Sequence, residues 1–568
     1  MKLSGGQVAE SVGGWSSPVD RLVSAGIAGR RFNTFGGKGS DSDMRKHQTS
    51  NAIFAGFTCS LLLLVTTDVR ARPTTPQEAQ LAVAGWLTGN AEPFDMPLGN
   101  LVAEVQTVAG EGGVPVYYVV HLLPSGFVVV PADDLVEPIL SFSDAQTYEP
   151  SAQNPLPALI AADLTRRLAD AYTAPAAGRL QIQSATAAQE RWSDLIGKAG
   201  APPKELGILA LPTISDVRVA PFLKTRWAQG DICSAPGYNY FTPNHNPAGC
   251  AAIAMAQVMY YYRYPAVGIG QRLFTITVSD KEQTAFTRGG DGAGGPYEWA
   301  AMVPAPDCTI TTEQRKAIAA LCYDAGVAVH MSYAPEGSGS DAFAITVALK
   351  STFGFRNVIS GADNGRNVGA GLAGMINPNL DAEYPVILGI MGASGHGVVV
   401  DGYGYDASTR IKALYHHLNM GWGGHEDIWY NLPDIGNYDT VAVCIYNIFP
   451  EGTGEIISGR VTDASGQPIW GAAVRADLRT KRYETLTNKK GIYTLTQLPS
   501  AGMFTVQASL SGLTFTKQSV ETGTSRDREA SAGNRWGINF VGTRAAGSPL
   551  SEEYPSESEP SEPSTAAN

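Results

Sequence analysis

The first regular spacing of apolar residues begins after Thr75 and predicts an amphipathic helix that extends to Leu87. Thr75 is a suitable N-cap, and Pro76 fits the first helical position, where its missing N–H is not needed. Leu81, Ala84 and Leu87 recur at three-residue spacing and would share one side of such a helix. We expect this side to be buried.

Short runs of β-branched and aromatic residues follow this helix. Residues 116–120 and 127–130 are two such runs joined by a Pro-Ser-Gly turn, and residues 139–140 follow another turn. They predict a small antiparallel sheet. Residues 156–196, rich in Ala, Leu, Arg and Glu, predict helices that cross back over a neighbouring domain. Together these patterns predict an α+β unit at residues 72–205.

A second pattern begins beyond a Pro-Pro-Lys break and defines the largest region, residues 215–450. Its clearest helix, residues 250–261, is apolar almost all round, as is typical of a helix buried at the centre of a domain. Short β runs separated by glycines follow and predict an antiparallel sheet, at residues 386–390, 398–400, 413–415 and 441–445. The region is therefore expected to be an α+β domain.

The third pattern consists of short strands with frequent turn signals and predicts a small β-sandwich at residues 455–543. Residues 544–568 are rich in Ser, Glu and Pro, so we expect a disordered tail there.

The apolar run at residues 52–66 is 15 residues long, which is shorter than a membrane span requires. A basic start after Met44 and small residues near Ala71 complete the pattern of a secretory signal at residues 44–71. Residues 1–43 are then a non-structured extension, and Met44 is the expected true start. The alternative is a short signal anchor on the outer face of a membrane. Both predict a secreted or extracellular protein, at the cell surface or in the periplasm if it is retained.

The composition of the chain and the motifs that it lacks argue against several classes of function. The chain is 44% apolar and 17% charged, which suits folded domains, and its net charge of −12 gives little support to a nucleic-acid partner. The sequence has no CxxC or HExxH motif, no complete phosphate-binding loop and no GxSxG elbow. We therefore expect no metal site and no cofactor, and neither an ATPase nor an ordinary esterase.

The number of cysteines points to a reactive thiol. Of six cysteines, one lies in the signal, and the remaining odd number leaves at least one thiol free in an exported protein. Apart from Cys250, the pairing stays open among Cys233, Cys308, Cys322 and Cys444.

Cys250 begins the apolar helix, where the partial positive charge of a helix N-terminus lowers a thiol pKa. Gly249 and the small residues that follow leave room for a substrate. The alternative is a buried structural cysteine at the head of a core helix.

A thiolate nucleophile needs an imidazole partner and a third group that holds the ring. His396 lies at the start of a β run between two glycines, and Asn419 ends the next run, where its amide is expected to bind the imidazole. Gln229, 21 residues before Cys250, is the expected second donor to an oxyanion, beside the Cys250 backbone N–H. His396 as a core histidine is the alternative, and His416 and His417 are expected to be strand residues.

The sequence around these residues resembles the streptopain family of secreted bacterial cysteine peptidases, which belongs to the papain-like clan. The resemblance rests on the Gly249-Cys250-Ala251-Ala252 segment, the Gly395-His396 pair and the Gly421-Trp422-Gly423-Gly424 segment, and it covers residues 215–450. Residues 72–205 resemble the inhibitory propeptide of that family, and residues 455–543 resemble a carboxypeptidase-regulatory-like domain. The resemblance implies an α+β papain-like domain that follows an α+β propeptide and precedes the sandwich.

The resemblance also implies residue roles. Cys250 would be the nucleophile and His396 the general base and acid, with Gln229 as the oxyanion donor. Asn419 and Trp422 would support the imidazole, and substrate would contact the protein at Gly395 and Ser338. The family usually has Trp directly after the Asn, whereas this chain has Met420.

These observations predict a secreted cysteine peptidase made as a zymogen, which acts on protein or peptide substrates. The resemblance implies endopeptidase action with a preference for an apolar residue two positions before the scissile bond. The enzyme's own propeptide would be its inhibitor, and the sandwich would bind a surface or glycan ligand. The alternative is a non-catalytic adhesion or matrix-binding protein with a decayed peptidase domain. Transamidation from the same thioester is a third reading.

Overall fold

The structure is a computed structural model. It describes residues 72–88, 92–145, 148, 154–177, 179–199, 215–362, 371–390, 395–425, 427–432 and 441–544. The predicted extension, signal and tail lie outside the described residues, apart from Arg544. Within the described part of the chain, no helix has the length and apolar character needed to cross a membrane.

The first region contains three α-helices and four strands among its described residues. They are α1 (Pro76–Leu87), β1 (Leu101–Ala109), β2 (Pro115–Leu123), β3 (Phe127–Pro131), β4 (Ser141–Ser143), α2 (Pro155–Ala177) and α3 (Arg179–Lys198). The predicted helices and the antiparallel pairing of β2 with β3 are confirmed. The last predicted strand begins two residues later than expected, at Ser141.

Helix α1 forms as predicted but buries a different side. The Thr75 hydroxyl accepts from the Glu78 N–H, and the Glu78 carboxylate accepts from the Thr75 N–H, so a complete capping box starts the helix. Its buried residues include Ala79 and Trp86, whereas Leu81 is 42% exposed. The predicted face is wrong because α1 packs closely on α3, where small residues allow the two backbones to approach.

The second region is a mixed helix and sheet domain. Its elements are β5 (Ser215–Val219), α4 (Cys250–Tyr262), β6 (Leu273–Val278), β7 (Lys281–Phe286), α5 (Thr312–Ala328), β8 (Ser332–Tyr333), α6 (Phe343–Ser351), β9 (Asn357–Gly361), α7 (Leu372–Asp381), β10 (Val386–Ile390), β11 (His396–Asp406), β12 (Ala413–Asn419), β13 (Ile428–Tyr430) and β14 (Val441–Phe449). The predicted central helix and all four predicted strands are confirmed. The α+β class follows from these elements.

Except for β6, β7 and β8, which form a separate three-stranded sheet, the described strands of the two regions form one sheet, which the sequence did not predict. In the described residues its order is β1-β2-β3-β4-β13-β12-β11-β10-β14-β9, with β5 beside β11. The junction is the antiparallel pairing of β4 with β13, in which Phe142 lies opposite Trp429 and Ser141 opposite Tyr430. Three residues of the first region are therefore enough to extend the sheet of the second.

The two faces of this sheet bury different helices. Val399 of β11 belongs to an apolar cluster with α4, α5 and α6, whereas Val398 and Val400 belong to a cluster with α2 and α7. This alternation follows from the two-residue period of a strand. It places the helix that begins with Cys250 on one face and the helix α2 of the first region on the other.

Helices α2 and α3 attach to β11, β13 and the adjoining loops. Arg167 donates to Asn431, and Arg191 forms ion pairs with Glu137 and Asp406. The prediction that these helices cross back over a neighbouring domain is therefore confirmed. The apolar side of α2 packs in the cluster that contains α7, and the apolar side of α3 packs in another cluster with α1, Tyr415 and Trp429.

The third region is a β-sandwich, as predicted. Its strands are β15 (Glu455–Asp463), β16 (Ala473–Leu478), β17 (Lys481–Leu486), β18 (Ile492–Leu498), β19 (Met503–Ser509), β20 (Leu513–Thr514), β21 (Gln518–Glu521) and β22 (Phe540–Arg544). They form two sheets of the order β18-β15-β22-β20 and β17-β16-β19-β21. The inward-facing residues of both sheets share one apolar cluster.

One disulfide resolves the pairing that the sequence left open. Cys233 and Cys308 are bonded, with their Cα atoms 5.4 Å apart. Cys250, Cys322 and Cys444 are free, and the last two are buried.

Candidate active site

Helix α4 starts at Cys250 because the preceding residue turns the chain sharply. Gly249 has φ of 91°, a conformation that side chains disfavour, and a Cβ there would lie 2.5 Å from the Met331 methyl carbon and 3.1 Å from the Ser338 carbonyl oxygen. Cys250 is half-buried at the helix N-terminus, and residues 251–260 behind it are buried. The thiol is therefore held at the surface end of a rigid helix.

Strand β11 brings His396 to this helix end. Gly395 has φ of 68°, which directs the chain into the strand. A Cβ on Gly397 would lie 3.5 Å from the Ala251 nitrogen, which is an ordinary van der Waals distance, so β11 lies directly beside the first turn of α4. The Cys250 thiol and the His396 ring are hydrogen-bonded to each other. The structure thus brings together the two residues that the sequence selected 146 positions apart.

The electrostatics of this pair favour its charged form. Burial alone raises the pKa of the Cys250 thiol, but the His396 charge and the hydrogen bonds from His396, Gly397 and Ala251 lower the net pKa below its ordinary value. Burial lowers the pKa of His396, but the Cys250 charge and hydrogen bond, with the Met420 carbonyl, raise the net pKa above its ordinary value. Both shifts act in the direction that favours a thiolate beside an imidazolium.

The third group of the site differs from the prediction. His396 Nε2 lies 2.8 Å from the Met420 carbonyl oxygen, which accepts its hydrogen bond. The Asn419 amide oxygen instead accepts from Gln257 and from the Gly421 N–H, and its amide nitrogen donates to the Thr225 carbonyl. The predicted hydrogen bond between the Asn419 amide and the imidazole is therefore corrected, because other partners occupy the amide.

Gln229 lies beside the nucleophile. Its backbone carbonyl accepts from the Ala248 N–H at 2.8 Å, two residues before Cys250. The preceding Trp227 is buried and donates from its ring to the Val303 carbonyl, and the Cys233–Cys308 disulfide fastens the loop that follows. The backbone of Gln229 is thus fixed beside the segment that leads into α4.

The remaining predicted residues lie on segments close to Gly249, after Met420 and within β12. Trp422 is half-buried and packs on the apolar cluster that contains Met420 and Leu418. Ser338 lies with its carbonyl near Gly249, and its buried hydroxyl has no hydrogen-bond partner within the described residues. His416 is buried in β12, as expected of a strand residue.

Sequence reasoning missed three groups near His396. They are the Met420 carbonyl, the Gln257 side chain and the Asp427 carboxylate, which accepts from the Met420 N–H at 2.9 Å. Every residue has a backbone carbonyl, so the side-chain types in the sequence could not identify the one at Met420. Gln257, however, is a polar residue in an otherwise apolar helix segment, seven positions after Cys250, and this was a readable signal.

Three family models match the chain. The Peptidase C10 family matches residues 232–430, the Spi protease inhibitor matches residues 71–166, and the Carboxypeptidase regulatory-like domain matches residues 456–531. The resemblance inferred from the motifs is confirmed.

Curated relatives match the same part of the chain. Streptopain of Streptococcus pyogenes serotype M1 is 28% identical over 202 residues, 35% of this chain and 48% of that protein. Thiol protease/hemagglutinin PrtT of Porphyromonas gingivalis is 29% identical over 235 residues, 39% of this chain and 26% of that protein. The chain thus spans half or less of the length of these relatives.

A fragment of Prevotella intermedia prointerpain A is a solved structure similar to this chain. It has 22% sequence identity and a TM-score of 0.44, over 62% of this chain and 99% of that fragment.

Proposed function

We propose that the chain is a secreted zymogen that hydrolyses peptide bonds through a thioester at Cys250, and the match of residues 232–430 to the Peptidase C10 family supports this proposal. The observation that carries this proposal is the Cys250–His396 pair at the N-terminus of α4, with a thiol pKa lowered by the imidazole. An assembled pair also argues against the decayed, non-catalytic alternative, since a binding protein has no need of it.

In the proposed reaction, the Cys250 thiolate attacks the scissile carbonyl carbon. The carbonyl oxygen becomes an oxyanion that accepts from the Cys250 N–H and the Gln229 amide. The His396 imidazolium then gives its proton to the leaving amine as the carbon–nitrogen bond breaks, which leaves a thioester on Cys250. Water, deprotonated by the now neutral His396, attacks the thioester and releases the carboxylic acid and the thiolate.

Iodoacetamide should alkylate one of the three free cysteines found among the described residues. Cys250 is expected to react first at about pH 7 because its pKa is lowered. Burial raises the thiol pKa of Cys322 and of Cys444, so both should react only after denaturation. Peptide mass mapping of the alkylated chain identifies which cysteine is modified, with the Cys250→Ala variant as control. Modification of Cys322 or Cys444 at a comparable rate would contradict the assignment of the nucleophile.

We further propose that residues 72–205 are the inhibitory propeptide of the peptidase domain at residues 215–450. Buried charge supports this role, since Arg191 of α3 is 3.0 Å from Asp406 of β11 and also donates to the Thr409 hydroxyl. Strand β4 adds a contact near the candidate site, where the Ser143 hydroxyl donates to the Asp427 carbonyl at 2.8 Å. The propeptide would thus act through the sheet edge that supports Met420.

The uncut precursor is expected to be nearly inactive, and cleavage between about residues 201 and 217 should release activity. The Cys250→Ala precursor, which cannot process itself, is treated with catalytic amounts of mature enzyme, and the new N-terminus is mapped by mass spectrometry. Arg191→Met should speed activation of the otherwise wild-type precursor about tenfold or more, because it leaves buried carboxylates unpaired.

Glu190→Gln is the matched control for Arg191→Met, because Glu190 is the exposed neighbour on the same helix. Full activity of an uncut wild-type precursor would remove the zymogen proposal. Equal activation rates for the Arg191 and Glu190 variants would remove the proposed role of the buried ion pairs.

The proposal also includes the compartment in which the protein acts and a ligand for the sandwich. A disulfide between Cys233 and Cys308 suits an oxidising environment outside the cytosol and so supports secretion. The sandwich contacts the peptidase region through buried polar groups, including the Ser458 hydroxyl, which donates to Asp381 at 2.7 Å. We propose a surface or glycan ligand for the part of the sandwich that faces away from this contact.

A further inference from the structure

A single peptide group joins Asn419 to the candidate general base. His396 Nε2 donates to the Met420 carbonyl oxygen at 2.8 Å. The N–H of the same peptide group belongs to Gly421, and it donates to the Asn419 side-chain oxygen at 3.1 Å. Asn419 therefore touches the far end of the peptide group that holds the imidazole.

Asn419 is in turn fixed by two other parts of the site. Gln257 Nε2 donates to its amide oxygen at 3.0 Å, and its amide nitrogen donates to the Thr225 carbonyl at 2.8 Å. Gln257 is fully buried and Asn419 is only 3% exposed. Seven residues make nearly two full helical turns, so Gln257 lies on the same side of α4 as Cys250. Thr225 lies four residues before Gln229.

We propose that Asn419 and Gln257 are positioning residues that act on His396 through the Met420–Gly421 peptide group. An acceptor on the peptide N–H fixes the plane of the group and polarises its carbonyl, which strengthens the hydrogen bond that the carbonyl accepts. The amide pair would thereby hold the imidazolium in reach of Cys250 and keep its pKa high. This inference rests on the proposed role of His396.

The other ionisable groups around Met420 lie mainly on its N–H side. Asp427 accepts from the Met420 N–H, and burial raises the pKa of its carboxyl to about 6. His417, Asp401 and Arg226 act on Asp427 through their charges. On the imidazole side, Cys250 of α4 is the ionisable group that acts on His396. A change confined to Asn419 or Gln257 leaves all of these groups in place.

We expect Asn419→Ala and Gln257→Met each to lower kcat by about 10- to 100-fold with little change in KM, because the imidazole is no longer held in the productive position. The loss in the double variant should be close to that in either single variant, since both residues act through one peptide group. Both changes are measured with a fluorogenic peptide on the processed enzyme.

The pH dependence of Cys250 alkylation in the full chain supplies a second readout that needs no turnover. A weaker carbonyl acceptor lowers the pKa of His396, so the upper pH limit of the ion pair should move to lower pH in both variants. A loss of stability alone would reduce the amplitude of the profile without moving that limit.

Asn419→Ser and Asn379→Ala are the controls. A serine hydroxyl at position 419 can still accept from the N–H two residues ahead, so Asn419→Ser should recover part of the loss seen with Ala. Asn379 is equally buried but bonds to Met375 and Asn447, so Asn379→Ala tests the cost of removing a buried amide elsewhere in the domain. It should leave the pH limit unchanged.

The inference is overturned if the pH limit stays in place in both variants, or if their losses simply add. If Cys250→Ala itself retained activity, the proposed function would fail instead, whatever the Asn419 variants did. The two failures are therefore distinguishable.

Discussion

Replacement of Cys250 by alanine is expected to reduce peptidase activity by about 10⁴-fold or more, because no other group can form the thioester. The fold should be preserved, since Cys250 is half-buried at the start of a helix whose other contacts remain. His396→Ala should lose a similar amount, and the double variant little more, because the pair acts as a unit. Rates on casein and on a fluorogenic peptide measure all three.

Cys444→Ala is the matched control for this experiment. Cys444 is free and buried in the sheet strand β14, so its loss should affect stability and leave the chemistry unchanged. If the activity of the Cys250→Ala enzyme were within several-fold of wild type, the assignment of Cys250 as the nucleophile would be wrong.

Gln229→Ala is the second large effect, with an expected loss of about 10²- to 10³-fold in kcat. Its side-chain amide is expected to meet charge that develops mainly in the transition state, so KM should change less than kcat. The backbone carbonyl that accepts from the Ala248 N–H remains in the variant. The local fold should therefore persist, which circular dichroism and thermal unfolding can verify.

Lys224→Ala gives a control within the same segment, because Lys224 is exposed and lies five residues before Gln229. It should behave as wild type. A rise in KM with unchanged kcat for Gln229→Ala would instead identify a residue that binds the substrate in its ground state.

The central helix, the later strands and the sandwich were predictable because their signals are local. Helix α4 is apolar on all sides and is buried on all sides, and the short runs that became β10, β11, β12 and β14 are bounded by turns and loops. The Cys250–His396 pair was also predictable from the sequence. A cysteine at a helix N-terminus and a histidine between two glycines can each be recognised as reactive from the residues beside them.

The predictions that failed all depend on partners distant in the sequence. The buried side of α1 is set by the close approach of α3, which explains why Ala79 is buried and Leu81 is exposed. The hydrogen bond of His396 goes to a backbone carbonyl, and every residue supplies such an acceptor. Side-chain patterns therefore had no means of selecting Met420 over Asn419.

The sequence by itself determined the helices and strands and the residue types of the site. Helix caps, apolar periodicity and the chemistry of a nucleophile and its base can be recognised from residues that are close in the sequence. Only the tertiary structure decided that β4 pairs with β13, that Cys233 bonds to Cys308, and that Asn419 reaches His396 through a peptide group. Edge-strand pairing and peptide hydrogen bonds use backbone groups that all residues share. Their choice of partner is therefore fixed by packing in space and not by residue identity.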